Sequence, residues 1–333
     1  MTDNEYIEKY RVSIMGVAAL WIMMFHGTME IPIRAINTLI GIGYLGVDIF
    51  MFMSGFSMHH SFINGCKRNV RLFYRKRIKR IFPTFIPFAI LWYMNYLFTN
   101  YADYKKLEVA VHTKEFWITM AIFRWFVPCI CLCYILTPLI DKILLKFKNR
   151  FLTLFWVVLL CVLISTFFIG SSVALMILIR IPEFLIGYWY ADRPNKQTNI
   201  FCRAVVLVIV YVFYYWLLGA YDDVFLADTG LYWWPAIGFT SSMVLCLSRC
   251  KILNHQLINF CGKYSLELYL WHVYILFPIL NLCTKFNINF DQYYITVNIL
   301  AIFVACFVSW IYAKIISFLP AYVKRITNKE YEN

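Results

Sequence analysis

The chain of 333 residues is 62% hydrophobic and only 15% charged, against roughly 45–50% and 25% in soluble domains, and it carries a formal net charge of +13. A soluble globular protein is excluded by the first two figures. The positive excess sits in short segments between apolar runs, where Lys and Arg set membrane topology, so no nucleic-acid partner follows from it.

Runs of about 17–25 apolar residues, each enough to cross the hydrocarbon of a bilayer, recur along the chain. Ten are expected, near 12–29, 41–63, 81–99, 117–140, 151–169, 172–190, 200–219, 231–248, 262–282 and 293–317. The first is preceded by Thr2, Asp3, Asn4 and Glu5 rather than a basic leader, so a retained helix is expected and not a cleaved signal. The expected fold is all-α, a polytopic integral membrane protein forming one membrane-embedded domain over 1–333. Basic segments at 67–80, 141–150, 192–199, 248–251 and 323–329 alternate with the acidic loop 220–230 and with 287–291. The basic side is assigned to the cytoplasm, which puts both termini there, in a multi-pass protein of the cell membrane.

Taken in chain order, ionisable residues at membrane depth are the chemical candidates, because each costs about 2.5–3.5 kcal/mol at a helix centre. The first run closes with "GVAALWIMMFH" and His26. The second opens with "GVDIFMFMSGF", which carries Asp48 and Ser54. Depth counted at about 1.5 Å per residue lets His26 and Asp48 lie at similar height, where a carboxylate can fix the tautomer of an imidazole base. Arg75, Arg77 and Arg80 stand on the shoulder of the third run, just before Pro83. Arg124 lies in "FRWFVP", Arg180 and Glu183 share "RIPEF", and His272 ends "YLWH". Each has a plainer reading. His26 and His272 can simply hydrogen-bond neighbouring helices, Asp48 can brace a helix through an Arg, and Arg180 with Glu183, three apart, can neutralise each other. The basic shoulder can serve topology or anionic lipid alone. "CICLC" (Cys129, Cys131, Cys133) has a spacing that turns successive sulfurs to different helix faces, so no metal is expected.

The local patterns, in their order, resemble the acyltransferase-3 family of integral membrane acyltransferases, which includes O-acetyltransferases of surface polysaccharide and peptidoglycan. They are "MGVAALWIMMFH" (15–26), "GVDIFMFMSGF" (46–56), "FYRKRIKRIFP" (73–83), "WFVPCICLCYILTP" (125–138), "RIPEFLIG" (180–187) and "GKYSLELYLWH" (262–272), covering nearly the whole chain. The resemblance implies that His26 is essential for transfer, that "GVD.F…SGF" belongs to the active-site cavity, and that the basic run helps hold the acyl donor. One position departs: where the family has Arg eleven residues before its histidine, this chain has Met15, with Arg11 one turn earlier. The expected activity is O-acyl transfer from acyl-CoA, acetyl-CoA in the first instance, to a carbohydrate or other hydroxyl acceptor outside the cytoplasm. No bound cofactor is expected. In that scheme His26 and Asp48 are catalytic, Arg75, Arg77 and Arg80 bind donor, and Ser54, Arg124, Arg180, Glu183 and His272 support the cavity. Clustered guanidiniums suit the donor because they bind phosphate bidentately. Any esterase-like extracytoplasmic partner is expected as a separate protein. A transporter, flippase or serine-uptake-like module would use the same buried charges as a substrate pathway.

Overall fold

The computed structural model describes residues 1–27, 31, 33–99, 125–146, 149–167, 172–193, 197–220, 235–285 and 290–330. Arg124 and the acidic loop at 221–230 lie outside the described residues. The described residues form helices and connecting turns: α1 (Asp3–Lys9), α2 (Arg11–His26), α3 (Arg34–Gly41), a 3-10 turn (Ile42–Tyr44), α4 (Leu45–Ile63), α5 (Val70–Thr99), α6 (Phe126–Lys146), α7 (Arg150–Thr166), α8 (Ser172–Asp192), α9 (Ile200–Ala220), α10 (Ala236–Arg249), a second 3-10 turn (Lys251–Leu253), α11 (Gln256–Lys263), α12 (Ser265–Lys285) and α13 (Phe290–Glu330).

Four stretches, 34–63, 126–146, 200–220 and 295–318, are long and apolar enough to cross a membrane by length and composition. Shorter apolar helices cover 11–26, 150–165, 236–249 and 265–280. The run expected at 262–282 is broken: α11 ends at Lys263, Tyr264 leaves helical geometry, and α12 begins at Ser265. The run expected at 41–63 continues backward through the 3-10 turn into α3.

Polarity is arranged inside out. Phe201 (75%), Val208 (61%), Phe307 (59%) and Trp156 (58%) are exposed on the outer helices α7, α9 and α13. Asp48, Arg180, Glu183 and His272 are buried in the interior, each at 2% exposure or less. A water-soluble protein would reverse this order; a protein solvated by lipid tails tolerates apolar exteriors and keeps charge where other groups can meet it.

The core is the pairing of α4 with α8, which run in the same direction. Two glycines permit it: a Cβ on Gly55 would strike the Phe184 carbonyl, and one on Gly187 would strike the Phe52 carbonyl. Backbones this close need small residues, as in other helix pairs that lipid alone does not drive together. Helix α2 packs on α11 in the same way, with Gly16 against the Ile258 carbonyl and Gly262 against the Val12 carbonyl.

Polar contacts gather at the end of the bundle that holds the start of α2 and the end of α4. Arg68 Nε donates to Asp141 Oδ2 at 2.8 Å, and Tyr188 Oη donates to Asp141 Oδ1 at 3.0 Å. The bond to Asp141 raises the pKa of Arg68 further. Asp192 is held by Arg150 and lies 3.3 Å from His59 Nε2. Helix α1, capped by the reciprocal Thr2 and Glu5 bonds, is tied down by Asp3, which accepts from Tyr190, Thr198 and Arg249. Segments 67–80, 141–150, 192–199 and 248–251 therefore meet at one end, as their shared charge suggests.

Candidate functional site

A cavity of ≈ 690 Å³ opens at this basic end, among the first turns of α2 and α12, the second half of α4 and the middle of α5. Its lining carries four cations, Lys9, Arg11, Arg80 and Lys263, against one acid, Glu267. Arg11 opens α2, and its Nη1 donates to Ser57 Oγ at 3.3 Å across the gap to α4. Ser13 Oγ donates to Asn259 Oδ1 at 2.7 Å, and Asn259 Nδ2 donates to Asn254 Oδ1 at 2.7 Å. These bonds fix one wall, with Lys9, Arg80 and Lys263 exposed at the opening.

The vestibule narrows into a neck of ≈ 100 Å³. Met15, Ser54, Arg80, Tyr134, Ser265 and Leu266 line both spaces, and Phe50, Ile81, Phe126, Val127, Ile130 and Tyr269 make the neck apolar. Beyond it lies a gap with no room for water, bounded by Ala19, Met23, Phe50, Ser265, Tyr269 and His272. Phe50, Ser265 and Tyr269 belong to both the neck and the gap, so the path runs from cations through an apolar constriction to an imidazole.

At its inner end the His26 and His272 rings sit 5.0 Å apart, centroid to centroid. His272, on α12, is 2% exposed, and its Nδ1 is 3.0 Å from the Leu268 carbonyl oxygen. His26, the last residue of α2, is half-buried. Tyr269 packs on His272 at 5.8 Å. On the other side, Arg180 forms an ion pair with Asp48 and lies 5.9 Å from the Tyr44 ring and 5.7 Å from the Trp125 ring. Glu183, one turn further along α8, is fully buried, with Arg180 and Thr240 as its polar surroundings.

The sequence-derived candidates separate into groups. His26 and His272 come together, and Asp48 joins Arg180 and Glu183. Asp48 forms its ion pair with Arg180, the plainer of its two expected roles. The physical reason is charge: a guanidinium in the same interior repays the carboxylate's desolvation far better than a neutral ring does. Ser54 lines vestibule and neck. Of the three arginines on the shoulder of α5, Arg80 alone lines the vestibule. Arg77 instead donates to Ser61 Oγ at 2.7 Å, and Arg75 is exposed away from the lining. At three and five residues from Arg80 on a helix, side chains diverge from its direction to varying degrees, and only the neighbouring helices decide which of them faces a cavity. Lys9 and Lys263 were missed. Lys263 follows Gly262 in "GKYSLELYLWH", inside a run that reads as one span, so the helix break that turns it to the cavity shows only in the structure. Among the described residues no group of three or more His, Cys, Asp and Glu is placed to hold a metal.

A family model described as an acyltransferase domain matches residues 15–314. No curated protein and no solved structure matches the chain.

Proposed function

The chain belongs to the acyltransferase-3 family, and on that premise we propose that it moves an acyl group, acetyl in the simplest case, from cytoplasmic acyl-CoA to a hydroxyl of a cell-surface polysaccharide or another acceptor outside the cytoplasm. The observation that carries the donor half is the stepped path. A phosphate-rich carrier matches the vestibule of Lys9, Arg11, Arg80 and Lys263, a thin apolar arm matches the neck, and the thioester then stands at the gap that His272 borders, with the His26 ring 5.0 Å from that of His272. The basic end of the bundle is assigned to the cytoplasm on the positive-inside rule, in a cell-membrane protein whose ten apolar runs all cross the bilayer.

His26 acts as general base. It removes the proton of the acceptor hydroxyl, whose oxygen attacks the thioester carbonyl, and the carbon–sulfur bond breaks to release the thiol. Its half-buried position at the end of α2 suits a group that must meet an acceptor arriving from the far side. The Asp48–Arg180 pair contributes a fixed dipole beside this centre rather than a partner for the imidazole.

Donor kinetics test the reading. Purified protein is given acetyl-CoA or the short, uncharged acetyl thioester of N-acetylcysteamine. Arg11→Gln with Arg80→Gln is expected to raise KM for acetyl-CoA at least about tenfold with kcat little changed, because contacts remote from the reacting carbonyl act as uniform binding. The short thioester should lose nothing. Equal KM for acetyl-CoA in wild type and double variant returns the vestibule cations to a purely topological role.

A further inference from the structure

His272 has no place in the reaction as so far described, yet it closes the donor path. It borders the gap that continues the neck, whereas His26 lines none of the three spaces. The two rings nevertheless stand 5.0 Å apart between centroids, at 49° to each other, so they are direct neighbours. The Leu268 carbonyl oxygen, 3.0 Å from Nδ1 of His272, can only accept a hydrogen bond. Nδ1 therefore carries the hydrogen in the neutral ring, and Nε2 is the basic nitrogen.

We propose that His272 is the second catalytic residue, the group that delivers a proton to the departing sulfur, working with His26 as a two-histidine relay; this rests on the acyl-transfer reading above. The hydroxyl proton moves to His26 as the oxygen bonds to the carbonyl carbon. The His26 imidazolium gives its other N–H proton to Nε2 of His272 and is left neutral in its second tautomer. His272 passes that proton to the sulfur as the carbon–sulfur bond breaks. One O–H and one C–S bond are lost, one C–O and one S–H bond form, and no oxidant, reductant or further reactant is required.

Burial explains why a second group is useful there. The gap has no room for water, so a sulfur departing at its mouth takes its proton from a side chain, and a protonated imidazole is a better proton donor than the hydroxyls of Ser265 and Tyr269 on the same border. Tyr269, packed on His272 and lining both neck and gap, holds the ring at the boundary.

The test varies the leaving group. Transfer to one hydroxyl acceptor is measured with acetyl-CoA and with the acetyl thioester of an aryl thiol, whose thiolate is stable enough to depart unprotonated. Wild type should use both. His272→Gln and His272→Asn should lose about 10²–10⁴-fold with acetyl-CoA and stay within a few-fold of wild type with the aryl thioester. His26→Ala should lose both. Equal losses with the two donors in the His272 variants, or no loss with either, overturn the proton-delivery role while leaving the acyl-transfer reading in place. No transfer by wild type with either donor overturns both. A check that needs no variant is heteronuclear NMR of isotope-labelled histidine in the wild-type protein: His272 should be protonated at Nδ1 when neutral, and the Nε2–H tautomer would contradict the relay.

Discussion

Taking two charges out of water costs several kcal/mol per ion, and Asp48 and Arg180 offset that cost only as a pair. Asp48→Asn leaves a buried guanidinium with Glu183 as its remaining acidic neighbour, so it should destabilise the folded protein by about 3–5 kcal/mol, read as a lower denaturation temperature in detergent. Combining Asp48→Asn with Arg180→Met should recover most of that loss, because the two substitutions share one interaction. Additive losses would show that the pair is not coupled. At this scale the sequence singles out the buried ionisable residues but not which of them meet. The identity of Asp48, Arg180, His26 and His272 as costly residues in apolar runs is legible from hydropathy alone. Which of them meet is a property of helix rotation and of contacts 132 and 246 positions apart in the chain (Asp48 to Arg180, His26 to His272), and no local pattern encodes it.

Helices meet here where side chains are missing. Gly55 belongs to "MSGF", which the family resemblance assigned to the cavity as a unit; Ser54 does line it, whereas Gly55 turns to the backbone of Phe184. Gly55→Ala and Gly187→Ala should each force α4 and α8 apart and lower thermal stability, since the obstructing atoms are backbone and cannot rotate aside. Gly238→Ala in α10 is the control: its added Cβ meets nothing within 4 Å, so it should be neutral or gain up to about 1 kcal/mol from helix propensity. If all three variants melt together, close packing is not what these glycines provide. The anchoring of α1 has a pH signature. Burial pushes the Asp3 carboxyl up, but hydrogen bonds from Thr198, Tyr190 and Arg249 outweigh it and hold the pKa below its ordinary value. A depressed folded-state pKa means a stabilising contribution that is complete above the unfolded value of about 3.9 and is lost as pH falls through the folded one. The denaturation temperature of the wild type should accordingly fall more steeply with acid, below about pH 4, than that of Asp3→Asn. Parallel curves would assign the acid sensitivity elsewhere. The start of α7 is marked by Asn149, whose side chain accepts from the Leu152 N–H at 3.1 Å. The break between α11 and α12 carries no Pro and was read through as one span.

The molecule as a whole is an apolar-surfaced helical bundle with a few charges buried inside it and cations gathered at one end. That end should be cytoplasmic. Single reporter cysteines at Asn69 and Lys251, in a background stripped of native cysteine, should escape an impermeant thiol reagent in intact cells, while one at Asp223, outside the described residues, should label. Labelling at Asn69 would reverse the orientation and put the vestibule on the wrong face for a cytoplasmic donor. All-helical class and membrane character were readable from composition, because a chain this apolar leaves helices or closed barrels as its only options and its runs have helical length. The vestibule was not readable, since its cations come from α1, α2, α5 and α11 and converge only in three dimensions. The central claim, acyl transfer by His26 between a donor on one face and an acceptor on the other, is tested most directly in sealed vesicles holding the purified protein, with acetyl-CoA outside and a carbohydrate acceptor inside. Mass spectrometry of the enclosed carbohydrate should show acetyl esters with wild-type protein, reduced about 10²–10⁴-fold by His26→Ala at equal protein and intact fold. Undiminished esters with His26→Ala, or donor or acceptor crossing the membrane with no ester formed by wild type, would contradict it.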